Sequence, residues 1–63
     1  GIKRGQVVEA LPNAMFRVNM NGTTITAYLA GKMRFNRIKV FVGDNVEMLL
    51  DPYGGKARVV KRL

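Results

Sequence analysis

Apolar and polar positions alternate along much of this chain with the two-residue period of half-buried β-strands. Phe16-Arg17-Val18-Asn19-Met20 carries that alternation, and Asn21-Gly22 follows at once. Asn-Gly is the strongest short hairpin signal, because both residues tolerate positive φ. Thr23 to Leu29 then reads as the return strand, with Ile25, Ala27 and Leu29 inward and Thr24, Thr26 and Tyr28 outward. Upstream, Gln6 to Leu11 is a mixed run that ends at Pro12-Asn13, a pair that favours a turn. Downstream, Gly43-Asp44 is a second tight turn launching Val46 to Leu50, and Asp51-Pro52 ends that run. Gly54-Gly55 leads into a last strand, Ala57 to Lys61. Gly22, Gly31 and Gly43 are expected to serve backbone geometry first, through positive φ or close approach.

Five strands with one longer polar break after the third suit a small closed barrel better than a sandwich. Closure removes the edges that an open five-stranded sheet would expose. The expected fold is all-β, a five-stranded OB-fold barrel with a short helix or helical turn in the break at Ala30 to Asn36, between strands 3 and 4. Phe16 and Val18 are expected in its core. A single domain spans residues 1–63, without a repeat, a low-complexity tract or a linker. At this length the core is thin, near the lower limit for unassisted folding.

Charge changes the picture. Eleven Lys and Arg against four Asp and Glu give a formal charge of +7 over 63 residues. Such a balance points to a polyanionic partner, because neutralising phosphates releases their condensed counterions. The chain has no Cys and no His, which removes disulfides, thiolate metal sites, the commonest metal ligand and the commonest general base. Four isolated acids, of which Glu9 and Glu47 read as ordinary surface carboxylates, form no catalytic constellation. No enzyme, cofactor or metal is expected. The longest apolar run is far short of a membrane span and no segment resembles a signal peptide, so a cytoplasmic protein is expected. Because the chain begins at Gly1 rather than Met, a trimmed or replaced natural N-terminus is expected.

The densest chemistry lies in Gly31-Lys32-Met33-Arg34-Phe35-Asn36-Arg37-Ile38-Lys39, with four cations around Met33 and Phe35. No acid occurs from Ala10 to Gly43. Lys32, Arg34, Arg37 and Lys39 suit backbone phosphates, while Met33 and Phe35 suit displaced bases. A charge run is usually just a solvated face, but absent acids and interleaved apolar groups favour binding here. On a helical wheel Lys32 and Lys39 fall opposite Arg34 and Arg37, and Met33, Phe35 and Ile38 scatter. A membrane-surface helix needs an apolar stripe, so no membrane contact is expected. If the chain is extended after Asn36, Arg37, Lys39 and Phe41 share one face, and Ile38, Val40 and Val42 share the other and cap the barrel.

Leu11-Pro12-Asn13-Ala14-Met15-Phe16-Arg17-Val18, then Gly31-Lys32-Met33-Arg34, then Gly43-Asp44 and Pro52-Tyr53 resemble, in order and spacing, the bacterial translation initiation factor one family. The resemblance covers almost the whole chain, and its motifs are specific in combination. It implies an S1-like OB barrel without catalytic activity that acts as a monomer. It also implies binding to 16S-type ribosomal RNA at the decoding A site of the small (30S) ribosomal subunit. There the family blocks premature tRNA entry and works with initiation factors two and three. Lys32, Met33 and Arg34 stand in the loop that inserts against the decoding-site RNA, and Lys39 stands where Arg is usual. Arg17 matches the Arg of the Phe-Arg-Val motif, Arg58 and Arg62 match basic positions of the last strand, and Tyr28 replaces a common His. If that strand stays regular, Arg58 and Arg62 share a face.

Departures from the pattern are local. Arg37 sits where Tyr is common, and its guanidinium can also stack. Phe35 replaces a polar or basic residue, Leu49 a common acid and Lys61 a residue that is often aromatic. Pro52-Tyr53-Gly54-Gly55-Lys56 lacks the usual Asp-Leu after Pro-Tyr, which alters the last loop. Two rival functions stand beside the resemblance. A cold-shock-type single-stranded RNA chaperone would stack bases on aromatics clustered on neighbouring strands, but Phe16, Tyr28, Phe35, Phe41 and Tyr53 form no such stripe. A structural ribosomal protein would stay on its subunit where a factor must leave.

Overall fold

The computed structural model describes residues 1–51 and 56–63. Its elements are β1 (Ile2–Leu11), β2 (Met15–Met20), β3 (Thr23–Leu29), α1 (Gly31–Phe35), β4 (Asn45–Leu49) and β5 (Ala57–Arg62). The strands close into a barrel in the order β1-β2-β3-β5-β4, with β4 returning to β1. This is the expected five-stranded OB-fold, with its short helix between β3 and β4. The turn between β4 and β5 expected at Asp51 to Gly55, with the altered Pro52-Tyr53 sequence, lies largely outside the described residues.

Strand β1 starts four residues before the mixed run at Gln6, because it serves two neighbours. Ile2 to Gln6 pair with β4, while Gln6 to Leu11 pair with β2. A bulge at Val8 accounts for the mixed character: Val7 opposes Val18, yet Glu9 opposes Arg17. One extra residue reverses the alternation beyond it, so Glu9, two residues after the buried Val7, is exposed and faces Arg17. The transfer from one partner to the other requires Gly5. A Cβ there would lie 2.6 Å from Val18 Cγ1 and 2.8 Å from the Asn19 carbonyl oxygen.

The β2–β3 hairpin is built as its Asn-Gly signal requires. Asn21 and Gly22 take φ of 51° and 88°, and Gly22 N donates to Asn19 Oδ1 at 3.0 Å. The β1–β2 connection is tighter in chemistry than in sequence: both Asn13 and Ala14 adopt positive φ, 64° and 57°. Ala14 tolerates this poorly without a polar side chain, and its carbonyl accepts from Leu29 N at 3.3 Å.

Val7, Phe16, Val18, Ala27, Met33, Val40, Val46, Met48, Ala57 and Val59 form the buried core. Phe16 and Val18 are therefore core residues, as their alternation indicates. Ala27 and Ala57 face each other across the parallel β3–β5 pair, where small side chains let the barrel close. Among the described residues no buried side-chain polar atom lacks a hydrogen bond, and no helix is long and apolar enough to cross a membrane.

Candidate nucleic-acid interface

Helix α1 has five residues and no side-chain cap, so it cannot be stable by propensity alone. The barrel holds it. Ala30 N donates to Val59 O at 2.9 Å at its start, and Met33, only 2% exposed, enters the core from its middle. Lys32, Arg34 and Phe35 are left outside, and Phe35 is 86% exposed.

The helix ends in a two-bond C-terminal motif. Arg37 N donates to Arg34 O at 3.1 Å and Ile38 N to Met33 O at 3.0 Å, the pair of bonds that define a Schellman end. The residue after the cap must then be left-handed, and Arg37 is, with φ 56°. Glycine normally takes this place because a Cβ there is disfavoured. Arg62 reaches over from β5 and donates from Nη1 to the Lys39 carbonyl at 2.9 Å.

Lys32, Arg34, Arg37 and Lys39 thus gather in one connection, and none makes an ion pair among the described residues. Arg17, Tyr28 and Arg58 lie apart from it on the outer face of β2, β3 and β5. Arg17 opposes Thr26, and Tyr28 opposes Arg58. Arg17 Nε lies 3.4 Å from Glu9 Oε1. Arg58 donates from Nε to the Tyr28 hydroxyl at 3.3 Å and covers the ring with its guanidinium carbon 5.8 Å from the centroid. A groove lined by Tyr28, Leu49, Leu50, Asp51, Lys56 and Arg58 runs beside this pair.

Three expectations need correction. Met33 is a core residue and not an exposed base contact. A single helix through Lys39 would give Met33 no buried face, whereas α1 stops at Phe35 and directs its middle residue into the barrel. Of Ile38, Val40 and Val42, only Val40 is buried. The left-handed Arg37 and the lack of strand pairing over 38–42 abolish a two-residue period there. Arg58 and Arg62 do not share a face. A bulge at Val60 places Lys61 opposite Glu47 and Arg62 opposite the buried Val46, while Arg58 opposes Leu49. Two features have no sequence signal strong enough to find them: the left-handed Arg37, and the exposure of Val42 beside Phe41.

A closed OB barrel with an unneutralised basic connection belongs to the class of small barrel domains that bind RNA. The model of the family eIF-1a, translation initiation factor 1A / IF-1, matches residues 1–63, and the chain belongs to that family. The solution structure of translation initiation factor one from the Wolbachia endosymbiont strain TRS of Brugia malayi is 31% identical, with a TM-score of 0.79. That similarity covers 100% of this chain and 77% of the other. The crystal structure of YjeQ from Thermotoga maritima is 32% identical over 100% of this chain, with a TM-score of 0.80. This chain spans only 23% of YjeQ. YloQ, a circularly permuted GTPase, shares the fold alone: a TM-score of 0.83 at 19% identity, over 100% of this chain and 23% of that one.

Proposed function

We propose that this initiation-factor-family protein binds the decoding A site of the small ribosomal subunit through ribosomal RNA. Bound there, it blocks premature tRNA entry and assists initiation factors two and three. It acts in the cytoplasm, as a monomer and without catalysis. The observation that carries the reading is the connection from α1 to β4, where Lys32, Arg34, Arg37 and Lys39 have no carboxylate partner among the described residues and Phe35 stands in water. Cations left unpaired on the folded protein are available to phosphates, and an exposed ring is available to a displaced base. Arg17, Tyr28, Arg58 and Arg62 supply a second, weaker set of contacts. For Tyr28, a base stacks on the outer side of the Arg58 guanidinium or displaces it from the ring. Met33 acts from inside the barrel, by fixing the helix that carries Lys32 and Arg34.

Chemical footprinting of the small subunit tests this. Protection of decoding-site bases is expected when the protein is added, and absence of protection there refutes the A-site assignment.

A further inference from the structure

Residues 41–44 form a turn held from several sides. Asp44 N donates to Phe41 O at 3.0 Å, and Phe41 N donates to Asp44 Oδ2 at 2.8 Å. Gly43 has φ 98°, the positive value a type II turn requires at its third residue. Gly43 N donates to Val7 O at 2.8 Å and Val7 N to Asp44 O at 2.9 Å, which fixes the turn to β1. On this fixed backbone stand Phe41 and Val42, each 59% exposed. The folded protein thus leaves more than half of the burial available to these two apolar residues unrealised.

The surroundings define what would cover them. Arg37 and Lys39 precede the turn, and the Arg62 guanidinium sits on the Lys39 carbonyl. The acid at hand, Asp44, is already engaged by Phe41 N. A second copy of this chain would bring a net charge of +7 against the same charge. A bilayer would need a continuous apolar face, whereas Phe41 and Val42 are two side chains between Lys39 and Asp44, with Val40 buried. RNA satisfies both components.

We propose that the Phe41–Val42 turn is an additional RNA contact, in which the Phe41 ring stacks on an unpaired base while Arg37 and Lys39 hold the adjoining phosphates. It rests on the RNA-binding reading above and extends it to residues that the family motifs do not include.

The test titrates wild type and the variants Phe41→Ala, Phe41→Leu and Phe41→Trp against small ribosomal subunits. A second titration uses an RNA hairpin carrying unpaired 2-aminopurine in an internal loop. Phe41→Ala should bind both about 5- to 150-fold more weakly, the range of one lost base–aromatic stack. Its salt slope should be unchanged, because no charge is removed. Wild type should quench 2-aminopurine more than Phe41→Ala does, and Phe41→Trp should restore affinity where Phe41→Leu does not. Thermal melting should coincide for all four, since the side chain is exposed. Wild-type affinity in Phe41→Ala overturns the proposal and leaves the RNA reading standing, and equal rescue by Leu and Trp overturns the stacking role. A concentration-dependent dimer that Phe41→Ala abolishes, with RNA affinity intact, assigns the turn to a second copy and overturns it too. Failure of wild type to bind either RNA target removes the underlying reading and this contact with it.

Discussion

The barrel wall and the connection between α1 and β4 contain the same kinds of residue in opposite states. On the wall, Glu47 faces Arg4 on one neighbouring strand and Lys61 on the other. Arg4 Nε and Nη2 each approach Glu47 Oε2 to 3.0 Å. Glu9 likewise lies against Arg17. In the connection, Lys32, Arg34, Arg37 and Lys39 have no carboxylate among the described residues. The backbone differs in the same sense. The wall is paired strand, interrupted by two bulges and with its positive φ confined to the turns at Asn13, Ala14, Asn21 and Gly22. The connection is largely unpaired, with a left-handed Arg37 and a turn that exposes Phe41 and Val42. Charge that is neutralised within the fold contributes a little to stability, and charge that is not is available to a partner. The difference marks the connection as the main contact surface, to which Arg17, Tyr28 and Arg58 of the wall add the weaker set.

Met33 gives the sharpest way to break that comparison, because it sits in the connection yet packs in the core. Met33→Ala should lower the unfolding free energy by about 2–5 kcal/mol, the usual cost of truncating a buried Met, measured by urea denaturation. A variant that keeps wild-type stability but binds small subunits poorly would place Met33 on the RNA surface instead. On the wall, Gly5→Ala should cost about 1–3 kcal/mol through overpacking, at the upper end because one obstructing atom is the Asn19 carbonyl oxygen. An unchanged midpoint would show that β1 can move away from β2.

Arg37→Gly should act in the opposite direction on the two properties. Relief of the left-handed Cβ should stabilise the fold by about 1 kcal/mol, while loss of one cation should flatten the salt dependence of binding by about one. Thermal melting and salt titration on the same samples check both. Equal losses in stability and binding would mean that the side chain supports the fold. The smallest effect belongs to the wall: Arg4→Ala should cost only about 0–1 kcal/mol, because the Arg4 side of the pair is solvent-exposed although Glu47 is largely covered. A larger loss would show that Glu47 needs this partner.

The barrel was legible because its signals are local. Phe16 to Met20 alternates, Asn21-Gly22 demands a hairpin, and Gly43-Asp44 a turn, each independent of what lies across the sheet. Bulges at Val8 and Val60 were not legible, since an extra residue is defined only by the partner strand. The second of these separates Arg58 from Arg62, which a regular strand would have kept together. Cations at 32, 34, 37 and 39 could be read directly from the sequence, and the acid-free stretch removed local partners, though not ones across the barrel of the kind Glu47 is for Arg4. The orientation of Met33 could not, because five residues are too few for periodicity and the length of α1 is set by its docking on β5. Nor could the conformation of Arg37, where the Schellman end overrides a residue type that avoids positive φ.

The salt dependence of binding to small ribosomal subunits tests the central claim most directly. With about five cations on phosphates, the logarithmic slope for wild type should lie at about −3.5 to −4.5. Lys32→Ala with Arg34→Ala should flatten it by about one to two, whereas Arg4→Ala with Lys61→Ala, the two cations beside Glu47, should leave it unchanged. An unchanged slope in the first pair, or an equal flattening in the second, would contradict the division between wall and connection.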